Sequence, residues 1–190
     1  MCVHRSSLYG VVLAMLWLAG LGPAQAETLL DGQRDVILVD AAGAEFPIGT
    51  ITFSPASDGL TAYQLDVDYR RFKDFFLSMK EMKCLEGREI WCHIPYPYQN
   101  PRTVSATDLR WLEHDLLFMF KRVGEFGANF WNGMYYRLSL QDGEILGLAH
   151  AVDLNQLAAP PEDLTVPPFG EFDVAETSLD ERWLPGLVIR

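Results

Sequence analysis

The chain is poor in cysteine and in positive charge: its 190 residues include three cysteines and 15 Lys+Arg against 26 Asp+Glu. Three cysteines are too few for a disulfide-dense mini-scaffold. A formal net charge of −11 repels phosphate backbones and anionic lipid surfaces, so no nucleic-acid partner is expected. No glycine cluster precedes a helix to cradle a phosphate, and no hydroxyl sits in G-x-S-x-G or S-x-x-K. H-E-x-x-H and H-x-x-x-H, which place two imidazoles on one helical face, are missing. Covalent haem attachment needs C-x-x-C-H, whereas seven residues separate Cys84 from Cys92. By motif, therefore, no catalytic residue, metal ligand set or cofactor is expected. Beyond residue 21 no apolar run reaches the ~20 residues that a membrane span requires.

What is present reads as an ordinary globular protein, 49% hydrophobic and 22% charged. Its length fits one domain, and a body of about 150 residues buries roughly 70% of its unfolded surface. The start has three parts: residues 1–7 carry Arg5 and no acid, residues 8–21 are apolar, and Gly22-Pro23-Ala24-Gln25-Ala26 ends in A-x-A. A basic start, an apolar stretch of roughly 7–15 residues and a small-residue site make a cleavable secretory signal. We expect cleavage between Ala26 and Glu27 and a periplasmic or secreted protein with no membrane span. Cys2 precedes the apolar run, so it is not a lipid-anchored first residue.

Export removes Cys2 and leaves Cys84 and Cys92 where thiols oxidise, so the pair is expected to form a disulfide. A turn centred on Gly87-Arg88-Glu89 puts 86 opposite 90, 85 opposite 91 and 84 opposite 92. Opposed residues of a non-hydrogen-bonded antiparallel pair lie ~4.5 Å apart at Cα, within disulfide reach.

Residues 27–34 read as a poorly ordered lead-in, followed by an apolar run at 36–39 and a strand over 46–53. Residues 62–69 alternate strictly, with Tyr63, Leu65, Val67 and Tyr69 on one face, which is the pattern of a half-buried strand. Phe72, Phe75, Phe76, Met79 and Met82 then fall at helical spacing and predict a helix over 70–81. Pro95, Pro97 and Pro101 force an extended segment. Ser105 or Thr107 is placed to cap a short helical turn through Leu112. Residues 114–122 carry both a helical stripe and a compact aromatic run, and we read them as strand. Residues 133–141 and 144–152 flank Asp142-Gly143, the residues of a type I′ hairpin turn. That register puts Met134, Tyr136, Leu138 and Leu140 opposite the small or apolar Ala151, Ala149, Gly147 and Ile145 on an inward face.

The expected organisation is a signal over 1–26, an antiparallel β domain over 27–157, and a Pro- and acid-rich C-terminal wrap over 158–190. The wrap ends in a possible edge or closing strand at 183–189. The fold class is mainly β with one or two short helices: a small antiparallel sheet that curls or closes, as a lipocalin-like or avidin-like barrel.

At residues 76–98 the chain reads FLSMKEMKCLEG and then WCHIPYPY; further on it reads DLLF at 115–118 and WNGMYYRL at 131–138. In these stretches it resembles a family of small exported proteobacterial proteins of unknown function, over roughly residues 72–155. The resemblance implies a bacterial periplasmic setting and brings no activity, cofactor or site residue with it.

Aromatic residues concentrate at 91–98 and 130–136. In a closed sheet they would line an apolar cavity with a few polar tips, with Trp131, Met134 and Tyr136 as its wall and Arg137 or His93 as its polar contact. The function expected is therefore a soluble periplasmic binding or accessory module for an apolar or amphipathic small molecule or a protein partner. The alternative is a periplasmic enzyme or metal-dependent protein using His93, His114 or His150, with Glu113 and Asp115 beside the second. In the absence of such a site, His150 is expected to stack on Tyr135 and His114 to cap a strand end.

Overall fold

The computed structural model describes residues 30–77 and 80–190; the expected leader over 1–26, its cleavage site and Cys2 lie outside them. A single antiparallel sheet organises the described chain. Its strands are β1 (Gly32–Val39), β2 (Glu45–Pro55), β3 (Thr61–Val67), β4 (Lys73–Leu77), β5 (Lys80–Glu86), β6 (Glu89–His93) and β7 (Thr103–Val104). After a short helix α1 (Arg110–Asp115) come β8 (Phe118–Arg122), β9 (Gly133–Gln141), β10 (Glu144–Val152), β11 (Val174–Ala175) and β12 (Gly186–Ile189). In space the order is β4, β5, β6, β8, β9, β10, β12, β1, β2, β3, β7, with β11 also on β10. Among the described residues no helix is long and apolar enough to cross a membrane.

The β9–β10 hairpin forms in the expected register, from Gln141 opposite Glu144 to Gly133 opposite Val152. Asp142 and Gly143 take φ of 49° and 83°, the positive values that let a two-residue turn match the strand twist. On the inward face Met134, Tyr136, Ile145 and Ala149 are buried. The β5–β6 hairpin likewise pairs Cys84 with Cys92, Leu85 with Trp91 and Glu86 with Ile90. The disulfide joins Cα atoms 3.9 Å apart.

Strands β3 and β4 are consecutive in the chain yet stand near opposite ends of the sheet. The segment from Val67 to Lys73 reaches about 20 Å when fully extended, so the sheet must curl until its two arms approach. The hydrogen-bonded ladder nonetheless stops at β4 and at β7. The result is a curled open sheet in place of the closed lipocalin-like or avidin-like barrel.

Several local expectations are corrected. The helix over 70–81 does not form: Tyr69–Arg71 is a single 3-10 turn and the chain then enters β4 and β5. The ladder from β6 fixes β5 as a strand, and the free edge of β5 templates β4, overriding the helical spacing. Phe75 opposes Met82, Met82 is buried, and Phe76 is 76% exposed. Residues 32–34, read as lead-in, open β1, held by Gln33 opposite Thr52 and Arg34 opposite Ile51. Ser105 does not cap α1; its Oγ accepts from the Asp108 amide, and Asp108 accepts from the Arg110 amide at the helix start. In the ambiguous stretch, His114 and Asp115 end α1 and only Phe118–Arg122 is strand.

The C-terminal segment is less superficial than its composition implies. Strand β12 is not at an edge: it pairs β10 on one side and β1 on the other, so it joins the two halves of the sheet. Buried polar contacts anchor the approach to it. The Tyr136 hydroxyl donates to Leu184 O at 2.7 Å, the Phe169 amide donates to His114 Nε2 at 3.1 Å, and the Trp183 amide donates to Glu89 Oε2 at 2.8 Å. Glu89, itself buried, also meets Arg182 at 3.0 Å.

Candidate functional site

A chain of polar side chains crosses the open side of the sheet. Asn100 Nδ2 donates to the Tyr63 oxygen at 3.1 Å and to Trp111 O at 3.1 Å. The Tyr63 hydroxyl donates to Asp115 Oδ2 at 2.9 Å. The backbone carbonyl of Asp115 lies 2.9 Å from His93 Nε2, and the Tyr69 hydroxyl lies 2.8 Å from His93 Nδ1. A carbonyl oxygen only accepts, so Nε2 carries the proton. The neutral ring then has its lone pair on Nδ1, and Tyr69 must donate to it. Burial pushes His93 down to about 4, outweighing the opposing Asp115 carbonyl, so the ring is neutral at neutral pH. Burial raises Tyr69, against a smaller opposing influence of Lys83. It raises Asp115 as well, despite the Tyr63 and Asn100 hydrogen bonds and nearby Arg102.

Tyr69 and His93 form part of the lining of a cleft of about 440 Å³. Met82 from β5, Ile94, Pro95 and Pro97 from the segment after β6, Phe130, and Leu154 and Leu157 from a 3-10 turn make most of the remaining lining apolar. Its parts are placed by simple local causes. Pro95 and Pro97 have no amide hydrogen to donate, so the chain leaves the sheet after His93. Asp153 accepts from the Asn155 amide at 2.9 Å and starts the 3-10 turn Leu154–Ala158. The Tyr98 hydroxyl donates to Leu157 O at 2.7 Å, tying the proline segment to that turn. The charged lining groups are Lys80, Glu81 and Lys83, and Lys83 is paired with Asp74 and, at 3.4 Å, with Glu81.

Of the five residues expected at a site, the structure places only His93 in this cleft. Trp131 is 71% exposed; it and Phe130 are the central residues of a turn closed by the Asn132 amide donating to Asn129 O at 3.0 Å, and of the two it is Phe130 that lines the cleft. Met134 and Tyr136 are fully buried core, with Tyr136 committed to Leu184 O. Arg137 is exposed and donates to Glu171 O at 3.2 Å, away from the cleft lining.

The three histidines do not converge. His114 has Nδ1 2.7 Å from Arg110 O and Nε2 accepting from Phe169, whose ring stacks on it at 5.1 Å. Burial holds it down at about 4. It fastens the C-terminal segment to α1, where a strand-end cap was expected. His150 Nδ1 lies 2.9 Å from Leu148 O, while Tyr135 meets His114 edge-on and no His150–Tyr135 stack forms. Among the described residues no group of three or more His, Cys, Asp or Glu is arranged to hold a metal ion. Buried Glu113 accepts from the Leu138 amide at 2.7 Å and from the Tyr135 hydroxyl, so it occupies an edge position that β8 leaves unpaired on β9.

Tyr69, Leu154 and Leu157 are not among the residues expected at a site, and Phe130 belongs to the aromatic stretch 130–136 expected to line a cavity without being named as its wall. Tyr69 ends the alternating set that the sequence shows over 62–69, but the strand stops at Val67 and Tyr69 opens a 3-10 turn, so the alternation does not by itself point its side chain at the cleft. The chain was compared with family models, with curated proteins and with solved structures, and nothing matches it in any of the three.

Proposed function

We propose that this is an exported protein that binds an amphipathic small molecule in the cleft between β5, the proline segment and the Leu154–Ala158 turn. The observation that carries the reading is the makeup of the cleft: about 440 Å³, mostly apolar, with one oriented Tyr–His pair as polar contact. That is the usual constitution of a small-ligand site, in which apolar walls give affinity and a few fixed polar groups give orientation. The Cys84–Cys92 disulfide supports an exported setting, because such bonds persist in oxidising compartments. With it goes the leader over residues 1–26 and a mature start at Glu27.

N-phenyl-1-naphthylamine, which fluoresces in apolar surroundings, tests the reading. Saturable one-to-one binding is expected in the wild type. Loss of binding is expected in Ala158→Trp, because Ala158 lines the cleft yet is exposed, so a large side chain there obstructs without disturbing the core. Absent binding, or equal binding by the variant, would overturn the site. Intact mass of protein exported by a bacterial host tests the leader: a mature start at Glu27 is expected, and a product retaining residues 1–26 rules it out.

A further inference from the structure

The direction of one hydrogen bond restricts what the cleft accepts. His93 is locked at both nitrogens, with Nε2–H on the Asp115 carbonyl at 2.9 Å and Nδ1 facing Tyr69 at 2.8 Å. The Tyr69 hydroxyl therefore spends its only proton on His93, and what its oxygen presents to the cleft is a pair of acceptor lone pairs. Asn155 adds an acceptor in its Oδ1, while one of the two Nδ2 hydrogens is held by Asp153 Oδ1 at 2.7 Å and the other belongs to an exposed residue that water can satisfy. Pro95 and Pro97 bring no amide hydrogen. The positive groups do not reverse this polarity, because Lys83 is paired with Asp74 and Glu81 and Lys80 is an exposed rim residue, where a charge is solvated and screened.

From this geometry we infer that the cleft selects amphiphiles whose head donates a hydrogen bond, such as an alcohol, against otherwise similar molecules whose head only accepts. Tyr69 is the specificity-determining residue, and His93 is a positioning residue that sets the direction of its hydroxyl. The inference rests on the cleft being the ligand site. It goes further in naming the head-group chemistry. A bound head without a donor covers the Tyr69 oxygen and keeps water from its lone pairs without replacing that hydrogen bond, and polar sites discriminate most strongly against analogues that leave their own groups unpaired.

The test is displacement of N-phenyl-1-naphthylamine by decan-1-ol and by decyl methyl ether, which share an uncharged apolar chain and differ in the donor. The wild type is expected to bind the alcohol about tenfold more tightly than the ether. In Tyr69→Phe, which keeps the ring beside Phe72 and removes the oxygen, the two are expected to bind within about twofold of each other. In His93→Phe the Tyr69 hydroxyl is released to donate, so the ether is expected to gain on the alcohol, an outcome that mere loosening of the fold does not produce. Displacement by neither compound would remove the ligand site itself. Equal displacement by both in the wild type would leave the site standing and overturn the donor selectivity, and so would a preference that survives in Tyr69→Phe. The wild-type ratio is decisive even if a variant fails to fold.

Discussion

The Tyr63 hydroxyl donates to Asp115 Oδ2 at 2.9 Å across the side of the sheet where the backbone ladder is open. Tyr63 belongs to β3 on one arm, while Asp115 ends α1 and passes its backbone carbonyl to His93 of β6 on the other. Side-chain hydrogen bonds thus do at this seam what strand pairing does elsewhere, and the same relay ends at the cleft on Tyr69.

Tyr63→Phe is accordingly expected to lower stability by about 1–3 kcal/mol, since it deprives a mostly buried carboxylate of its hydroxyl donor while preserving the ring. Urea denaturation checks it through a lower midpoint at unchanged slope. An unaltered midpoint would mean the seam is not held at this point.

Stability is expected to fall as pH drops from about 6.5 toward 4. His93 and His114 are both lowered to about 4 by burial, so the unfolded chain takes up protons through pH 6.5 while the folded chain does not. Their stabilisation is complete above that value and is lost toward 4, on the order of 3 kcal/mol for each. Burial raises Glu113 and Asp115, which acts in the opposite sense in the lower part of the window. His114→Gln separates the contributions, because Gln can still donate to Arg110 O and accept from the Phe169 amide without titrating. Denaturation at pH 4.5, 5.5 and 7 is expected to show a shallower pH dependence in the variant, and parallel profiles would refute the assignment.

Gly87→Ala is expected to cost about 1–3 kcal/mol by overpacking and to open the C-terminal segment to protease. An added Cβ would stand 2.1 Å from Trp183 Cζ2, and Trp183 is buried against Phe46 with ring centroids 5.4 Å apart. Displacing it loosens the lead into β12. Gly143→Val fails for a different reason, its φ of +83°, and is expected to cost about 1–2 kcal/mol without exposing the C-terminal segment. Limited proteolysis followed by mass analysis distinguishes the two.

Unreduced protein is expected to weigh two hydrogens less than the reduced form, and Cys84→Ser with Cys92→Ser to lower stability by about 2–3 kcal/mol through the unfolded chain's lost restraint. Two free thiols in oxidised, natively folded protein would contradict the crosslink.

The elements that the sequence made legible are those specified by neighbours. Asp142-Gly143 set the register of β9 and β10, and the symmetric turn at Gly87-Arg88-Glu89 put Cys84 opposite Cys92. The alternation from Tyr63 to Val67 identified β3, because side chains of period two must choose a face. The run from Phe72 to Met82 misled, since its spacing is helical and only the ladder on β6 overrides it. The cleft was legible at His93 and, as one of the aromatics of 130–136, at Phe130. Phe130, Leu154 and Tyr69 meet there because separate loops converge, and no local pattern encodes that.

By itself, then, the sequence determined the antiparallel hairpins, their inward faces and the sulfur pairing, all of which follow from turn chemistry and side-chain alternation over a few residues. Tertiary structure alone decided that β12 sits between β10 and β1, that the sheet curls without closing its ladder, and that Tyr69 turns its hydroxyl onto His93. These depend on contacts between residues far apart in the chain, where burial and the pairing of every hydrogen-bonding group choose among arrangements that local preference leaves equal.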